Sequence, residues 1–242
     1  MATRQRIESP FGSPAPPPEA AAASASARLG VRPLTGWEEE YVERHASEGN
    51  TARLCNEVLA RCLVAPGEDP GAARETVRGL LVAERDRELV ALRRLSLGPR
   101  VQATVRCQEC DGESEAGFSL DVLPVDFEPP AAPVHVALKE GGEAILRLPT
   151  AGDQEDLVDA ALDGEAERRS WLIGRCLLRY GERSGPFDAD AARGLPVAVR
   201  RELEGAIEAR LPELDLQMVV ECSHCGAQIA APFDVPTFFF SS

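Results

Sequence analysis

Val101-Gln102-Ala103-Thr104-Val105 runs through Arg106 into Cys107-Gln108-Glu109-Cys110, and Leu216-Gln217-Met218-Val219-Val220 runs through Glu221 into Cys222-Ser223-His224-Cys225-Gly226. The first apolar stretch alternates with period two, and both read as strands. A Cys-x-x-Cys at a β-turn presents two thiolates on one side of a tight loop, within reach of the turn's own N–H groups. Two such knuckles complete the tetrahedral shell that Zn²⁺ prefers, with Zn–S near ~2.3 Å. This reading assigns one structural zinc to Cys107, Cys110, Cys222 and Cys225, across 111 intervening residues. A closed four-thiolate shell leaves no position for catalysis. Gly226 suits the positive φ of such a turn, and Asp111 followed by Gly112 stands in that place in the first knuckle. His224 reads as an exposed spacer, because four Cys already fill the shell. Reduced thiols without metal are the plainer alternative. A thioredoxin-like redox role is disfavoured, since neither pair precedes a helix.

Around the knuckles the pattern predicts an α+β fold: a helical body with two β-hairpins forming a zinc-ribbon-like four-cysteine cluster. A strand near 116–120 returns from the first knuckle. A second hairpin, 134–138 with 143–148, turns at Gly141-Gly142. Helices are predicted from Gly36 after a Thr35/Glu38 capping box, from Thr51, near Pro70, across 84–95, from Gly152, over 165–180, and from Leu195-Pro196 with Pro at the first helical position. Leu81, Leu89, Leu92 and Leu95 mark the inward side of the fourth helix. Glu84-Arg85-Asp86-Arg87-Glu88 reads as a solvated face. The chain divides into a disordered Pro/Ala-rich tail (1–29), an N-terminal helical region (30–98), the first zinc-knuckle hairpin and β region (99–150), a second helical region (151–213), and the second knuckle hairpin with a Phe-rich end (214–242). No internal repeat of solenoid length is visible; the two strand-knuckle units are alike, but the helical sequence around them is not.

The 242 residues carry 26 Lys and Arg against 40 Asp and Glu, a net charge of −14. That balance disfavours nucleic acid and anionic membrane surfaces as partners. No apolar stretch is long enough to span a bilayer, and no apolar signal core follows the first basic residues. Seven Cys, an odd number, fit reduced thiols in a cytoplasmic chain. Cys55, Cys62 and Cys176 fit helix cores. With three His (His45, His135, His224), no nucleophile motif and no phosphate-binding Gly loop, the chain does not read as an enzyme. Phe233, Phe238, Phe239 and Phe240 crowd the last ten residues. Consecutive strand residues alternate faces, so these Phe cannot all enter one core, and they mark a partner interface.

The order of short motifs adds a resemblance. Val31-Arg32-Pro33-Leu34-Thr35-Gly36, Glu84-Arg85-Asp86 with Leu89, Leu92-Arg93 and Leu97-Gly98, Arg147-Leu148-Pro149-Thr150 with Asp153, and Leu214-Asp215 with Cys222-x-x-Cys225-Gly226, Phe233-Asp234-Val235 and Phe238 resemble the baseplate hub or hub-assembly proteins of T-even-type phages. Relatives accompany contractile injection systems, which are phage-tail-like particles. The resemblance covers about residues 31–240. Three features depart from it: neither pair has the Cys-Pro-x-Cys form, the N-terminal tail is extra, and longer relatives continue past the Phe cluster. It implies a structural baseplate component or assembly factor without enzymatic activity. Its partners would be other baseplate, hub or spike proteins, with no nucleic acid and no membrane insertion. It would be cytoplasmic or incorporated in a phage-tail-like particle or virion. The alternative is a cytosolic zinc-ribbon adaptor binding another protein. A zinc-ribbon nucleic-acid module and a redox enzyme rank lower.

Overall fold

In this computed structural model the described residues are 6–8, 30–63, 70–123, 127, 130, 133–212 and 217–232. Strand β1 is Arg6–Glu8, inside the stretch expected to lack structure. Four helices follow: α1 Gly36–His45, α2 Thr51–Cys62, α3 Pro70–Gly79 and α4 Val82–Leu97. The first ribbon is β2 Arg100–Arg106 and β3 Glu113–Ser119, continued by the 3₁₀ turn Leu120–Val122. Then come β4 Val134–Ala137, β5 Glu143–Leu146, α5 Ala151–Asp159, α6 Glu165–Cys176, β6 Leu177–Tyr180 and β7 Arg183–Ser184. Helices α7 Ala189–Arg193 and α8 Val197–Glu208 precede the second ribbon, β8 Gln217–Glu221 and β9 Gln228–Pro232. The sheets are ordered β1-β8-β9, β2-β3 and β4-β5-β6-β7, with β1 parallel to β8 and the other pairs antiparallel. The mixed fold with small hairpin sheets is the one the sequence predicts.

The helix starts follow the capping logic. Glu38 accepts the Thr35 N–H at 2.9 Å and a bidentate pair from Arg32 at 2.9 and 3.1 Å. Asp153 accepts the Thr150 N–H at 2.9 Å and both Arg147 Nη atoms. Each satisfies a donor that the helix start leaves open and places negative charge at the positive dipole end. Pro196 takes the cap position before α8 rather than its first turn. The sixth helix stops at Cys176, and 177–180 form β6 instead, opposite β5. The Leu177-Leu178-Arg179-Tyr180 run fits either period; pairing with β5 and burial of Leu177 decide for strand.

The charged run on α4 is not a solvated face. Arg85 is 0% exposed and Glu88 1%, and Arg87 is buried as well. Arg85 grips Asp86 through Nε and Nη2 at 2.9 and 2.7 Å, and Arg87 grips Glu88 at 3.2 and 3.0 Å. Within this run each buried cation thus carries its own anion next in sequence, which lets the run lie inside the body. Leu89 and Leu92 face the core as expected, but Leu95, in the last turn, is 48% exposed.

Two large apolar cores result. One joins Val58, Leu59, Val77, Leu89, Leu92, Val101 and Leu120; the other joins Leu146, Ile173, Leu177, Val199, Leu203 and Ile207. Cys55 and Cys62 are buried in the first and Cys176 in the second, as predicted. Helix α5 ties the halves together by packing on α2 and α3. Its buried Glu155 accepts from Arg78 at 2.6 Å, Arg74 at 2.8 Å, Asn56 at 3.0 Å and Arg53 at 3.3 Å. The Ala151 N–H reaches the Leu80 carbonyl at 2.7 Å.

The likeness of the two knuckle units extends, against expectation, to the helices around them. Arg32, Thr35, Glu38, Cys107 and Cys110 correspond to Arg147, Thr150, Asp153, Cys222 and Cys225, each 115 positions on. The same offset lays α1 on α5, α4 on α8, β2 on β8 and β3 on β9, and places α7 within the span of α3. Over α2 and α6 it is 114, matching Ala60-Arg61-Cys62-Leu63 to Gly174-Arg175-Cys176-Leu177. Contacts repeat with the elements. Arg32 N–H bonds the Cys62 carbonyl at 2.8 Å and Arg147 N–H the Cys176 carbonyl at 2.9 Å. Val31 bridges Leu63 as Leu146 pairs with Leu177. Arg85 reaches Asn56 Oδ1 at 3.4 Å, and its counterpart Arg200 reaches Ser170 Oγ at 2.7 Å. The described residues therefore carry two copies of one helix-and-ribbon unit. Several buried pairs, such as Val77 with Ala192 and Leu92 with Ile207, keep apolar character without identity, which hides the repeat from a reading by eye.

Candidate metal centre

Each knuckle closes on itself through the same backbone bonds. Asp111 N–H donates to the Cys107 carbonyl at 2.9 Å, and Gly226 N–H to the Cys222 carbonyl at 2.9 Å. Cys107 N–H returns to the Gly112 carbonyl at 2.9 Å, and Cys222 N–H to the Ala227 carbonyl at 2.8 Å. The turn requires a left-handed residue after the second Cys. Gly226 supplies it at φ 74°, and Asp111 supplies it at φ 57°, a conformation that Asp tolerates better than most residues.

The ribbons face each other so that all four Sγ atoms lie within 4.8 Å of one another. Cys107 Sγ is 3.7 Å from Cys225 Sγ, and Cys110 Sγ is 3.6 Å from Cys222 Sγ. These pairs exchange under the 115-residue offset, so the cluster is pseudo-symmetric. Four sulfurs at ~2.3 Å from one tetrahedral ion stand ~3.8 Å apart. A disulfide needs ~2.05 Å, and all seven cysteines are free of disulfides. The donor set and spacing thus fit a tetrahedral ion. It is the only such group of potential ligands among the described residues. Cys107 and Cys222 are buried, while Cys110 and Cys225 face outward.

Backbone N–H groups of Cys225 and His224 point at the Cys222 sulfur and, with the Ser114 hydroxyl, bring its thiol down to about 6. Cys110 also receives a backbone N–H, from Gly112, but hydrogen bonding with the neighbouring thiols pushes it up to about 12. Cys222 thus forms its thiolate readily, and a divalent ion at this cluster would bind by displacing protons. Cys62 and Cys176, in contrast, are pushed up to about 12 by burial and stay inert thiols.

Two residues that the sequence did not assign to this site lock the ribbons together. Buried Ser114 accepts the Ser223 N–H at 3.0 Å and lies 3.2 Å from Ser223 Oγ. His224 is exposed, as expected, but it is a clamp and not a spacer. Its Nε2 meets the Glu113 carbonyl at 3.0 Å, and a Cβ built on Gly112 would stand 2.3 Å from its Cδ2. Only a glycine lets that ring approach. Ser114 carries no sequence signal that separates it from any surface serine. Phe233, Phe238, Phe239 and Phe240 lie outside the described residues.

No helix of the described residues is long and apolar enough to cross a membrane. No curated protein and no solved structure matches the chain. The sequence model of one family does match, over residues 21–179, which is more than half of the chain: T4 bacteriophage base plate protein.

Proposed function

The chain belongs to the T4 bacteriophage base plate protein family, and from that premise we propose that it is a structural component or assembly factor of the baseplate of a contractile, phage-tail-like particle. Its role is non-enzymatic. It contacts other baseplate, hub or spike proteins, and it stays in the cytoplasm until it is built into a particle. One zinc ion at Cys107, Cys110, Cys222 and Cys225 ties the two ribbons. The observation that carries the zinc reading is the four-sulfur cluster with cross-ribbon distances of 3.6 and 3.7 Å. Docking falls to the Phe-rich end. Phe238, Phe239 and Phe240 are consecutive, so at least one faces outward in any extended conformation. The acidic balance keeps the free subunit soluble and suits basic partner surfaces.

Deleting the gene in cells that make the particles tests the role. Tubes and sheaths lacking complete baseplates are expected. Normal particles in normal number would overturn the proposal.

A further inference from the structure

In the first unit the ribbon does not end the core. Phe118, near the end of β3, and Leu120 and Leu123 beyond it join the first core, which also holds Val90 of α4. Leu120 is 1% exposed. At the 115-residue offset these positions are Phe233, Val235 and Phe238, apolar in all three places. Strand β9, in the place of β3, ends at Pro232, directly before Phe233. The counterpart of Val90 is Gly205 on α8, and a Cβ built there meets nothing within 4 Å. The smaller residue on the helix is matched by a larger one on the segment, Phe238 for Leu123. The ion pair Arg94–Asp121, which pins the turn in the first unit, falls on Ala209 and Pro236. Apolar contact alone would hold the second segment.

We propose that the segment Phe233–Phe238 of this chain docks on α8 over Gly205, and completes the second core as Phe118, Leu120 and Leu123 complete the first. Phe239 and Phe240 follow that segment in the chain and are left to serve a partner. The core assignment rests on the repeat. The use of this pair rests on the baseplate reading above.

Four full-length variants test it: Phe233→Ala, Phe238→Ala, Phe239→Ala and Phe240→Ala, followed by thermal unfolding of the purified protein. The first two should lower the midpoint on the order of 10 °C. The last two should leave it unchanged and reduce co-sedimentation with particles. Wild-type midpoints for Phe233→Ala and Phe238→Ala would overturn the proposal. A loss of stability for Phe239→Ala or Phe240→Ala would overturn the assignment of that pair to a partner. Undiminished co-sedimentation of Phe239→Ala and Phe240→Ala would count against the baseplate use of that pair, and leave the core assignment to the melting data. A gentler pair covers the case of a variant that does not fold. Phe238→Leu should lower the midpoint, and adding Gly205→Val, which gives the two positions the Val and Leu of the first unit, should restore it. Gly205→Val alone should crowd Phe238 and give no gain. Equal effects of Gly205→Val with Phe and with Leu at position 238 would mean the two positions do not touch, and would overturn the proposal.

Discussion

Replacing Glu155 by Gln keeps the shape of the side chain and removes its charge. The carboxylate is buried on α5 and accepts from Asn56, Arg53, Arg74 and Arg78. Deleting one partner of a buried, fully bonded ion pair costs about 3–5 kcal/mol. Here each arginine keeps a second acid: Arg53 has Asp159, Arg74 has Glu57 and Arg78 has Asp156. Arg53 and Arg74 are also more than a third exposed, which weakens their share by solvent screening. The expected loss is therefore about 2–3 kcal/mol, or roughly 5–10 °C in midpoint for a chain of this size. Because α5 joins the second unit to α2 and α3, the variant should also unfold in two steps, one for each core. The sign with pH is fixed. Burial opposes ionisation of Glu155, but Asn56 and the arginines override it and hold the carboxyl below its ordinary value. Its stabilisation is present above the ordinary carboxylate range and fades as pH falls through the lowered native value. The Gln variant should lack that part of the acid sensitivity. Denaturant melts across pH read both effects. A loss under about 0.5 kcal/mol with a single transition would refute the view that this cluster couples the halves.

Other consequences are equally specific. Cys225→Ser, or chelation of the wild type, should release the bound metal and lower the melting midpoint, because binding free energy is folding free energy in such sites; calorimetry with metal analysis checks both. Gly174→Ala should cost about 3 kcal/mol, since its Cβ would stand 2.5 Å from the Asp188 carbonyl oxygen, a backbone atom that cannot swing away; a denaturant melt reads the loss. Hydrogen bonds from Arg32 bring the Glu38 carboxyl down to about 2 against the cost of burial, with Thr35 assisting. Glu38→Gln should therefore lose about 1 kcal/mol near neutral pH, discounted for the part-exposed Arg32, and nothing below pH 2; paired melts at the two pH values read the difference. Gly112→Ala should displace the His224 ring and break its bond to Glu113, speeding metal loss to a chelator.

Features with a local physical cause were legible in the sequence. The knuckles, the Thr35/Glu38 start and the Gly141-Gly142 turn each depend on a few adjacent residues. Gly141 and Gly142 both adopt positive φ, which is why glycine stands there. The bringing together of Cys107, Cys110, Cys222 and Cys225 was legible as well, because each half-site is incomplete alone. What failed depended on distant neighbours. The 84–88 run looks solvated until one sees that Arg85 and Arg87 each carry an adjacent acid and that α4 lies between other elements. Leu177-Leu178 extends a helical stripe until β5 offers a pairing edge. The repeat escaped because a core constrains size and polarity rather than identity. His224 looked idle because its role needs the opposite ribbon.

The most direct test of the baseplate account is to pellet large assemblies from cells that make them, and to quantify this chain and its zinc beside the sheath and tube proteins. The account predicts a fixed ratio of the chain to the particle, or its presence on partly built particles alone, with one zinc per chain. A chain that never sediments with particles at any stage, or one that carries no metal when purified without chelator, would contradict it.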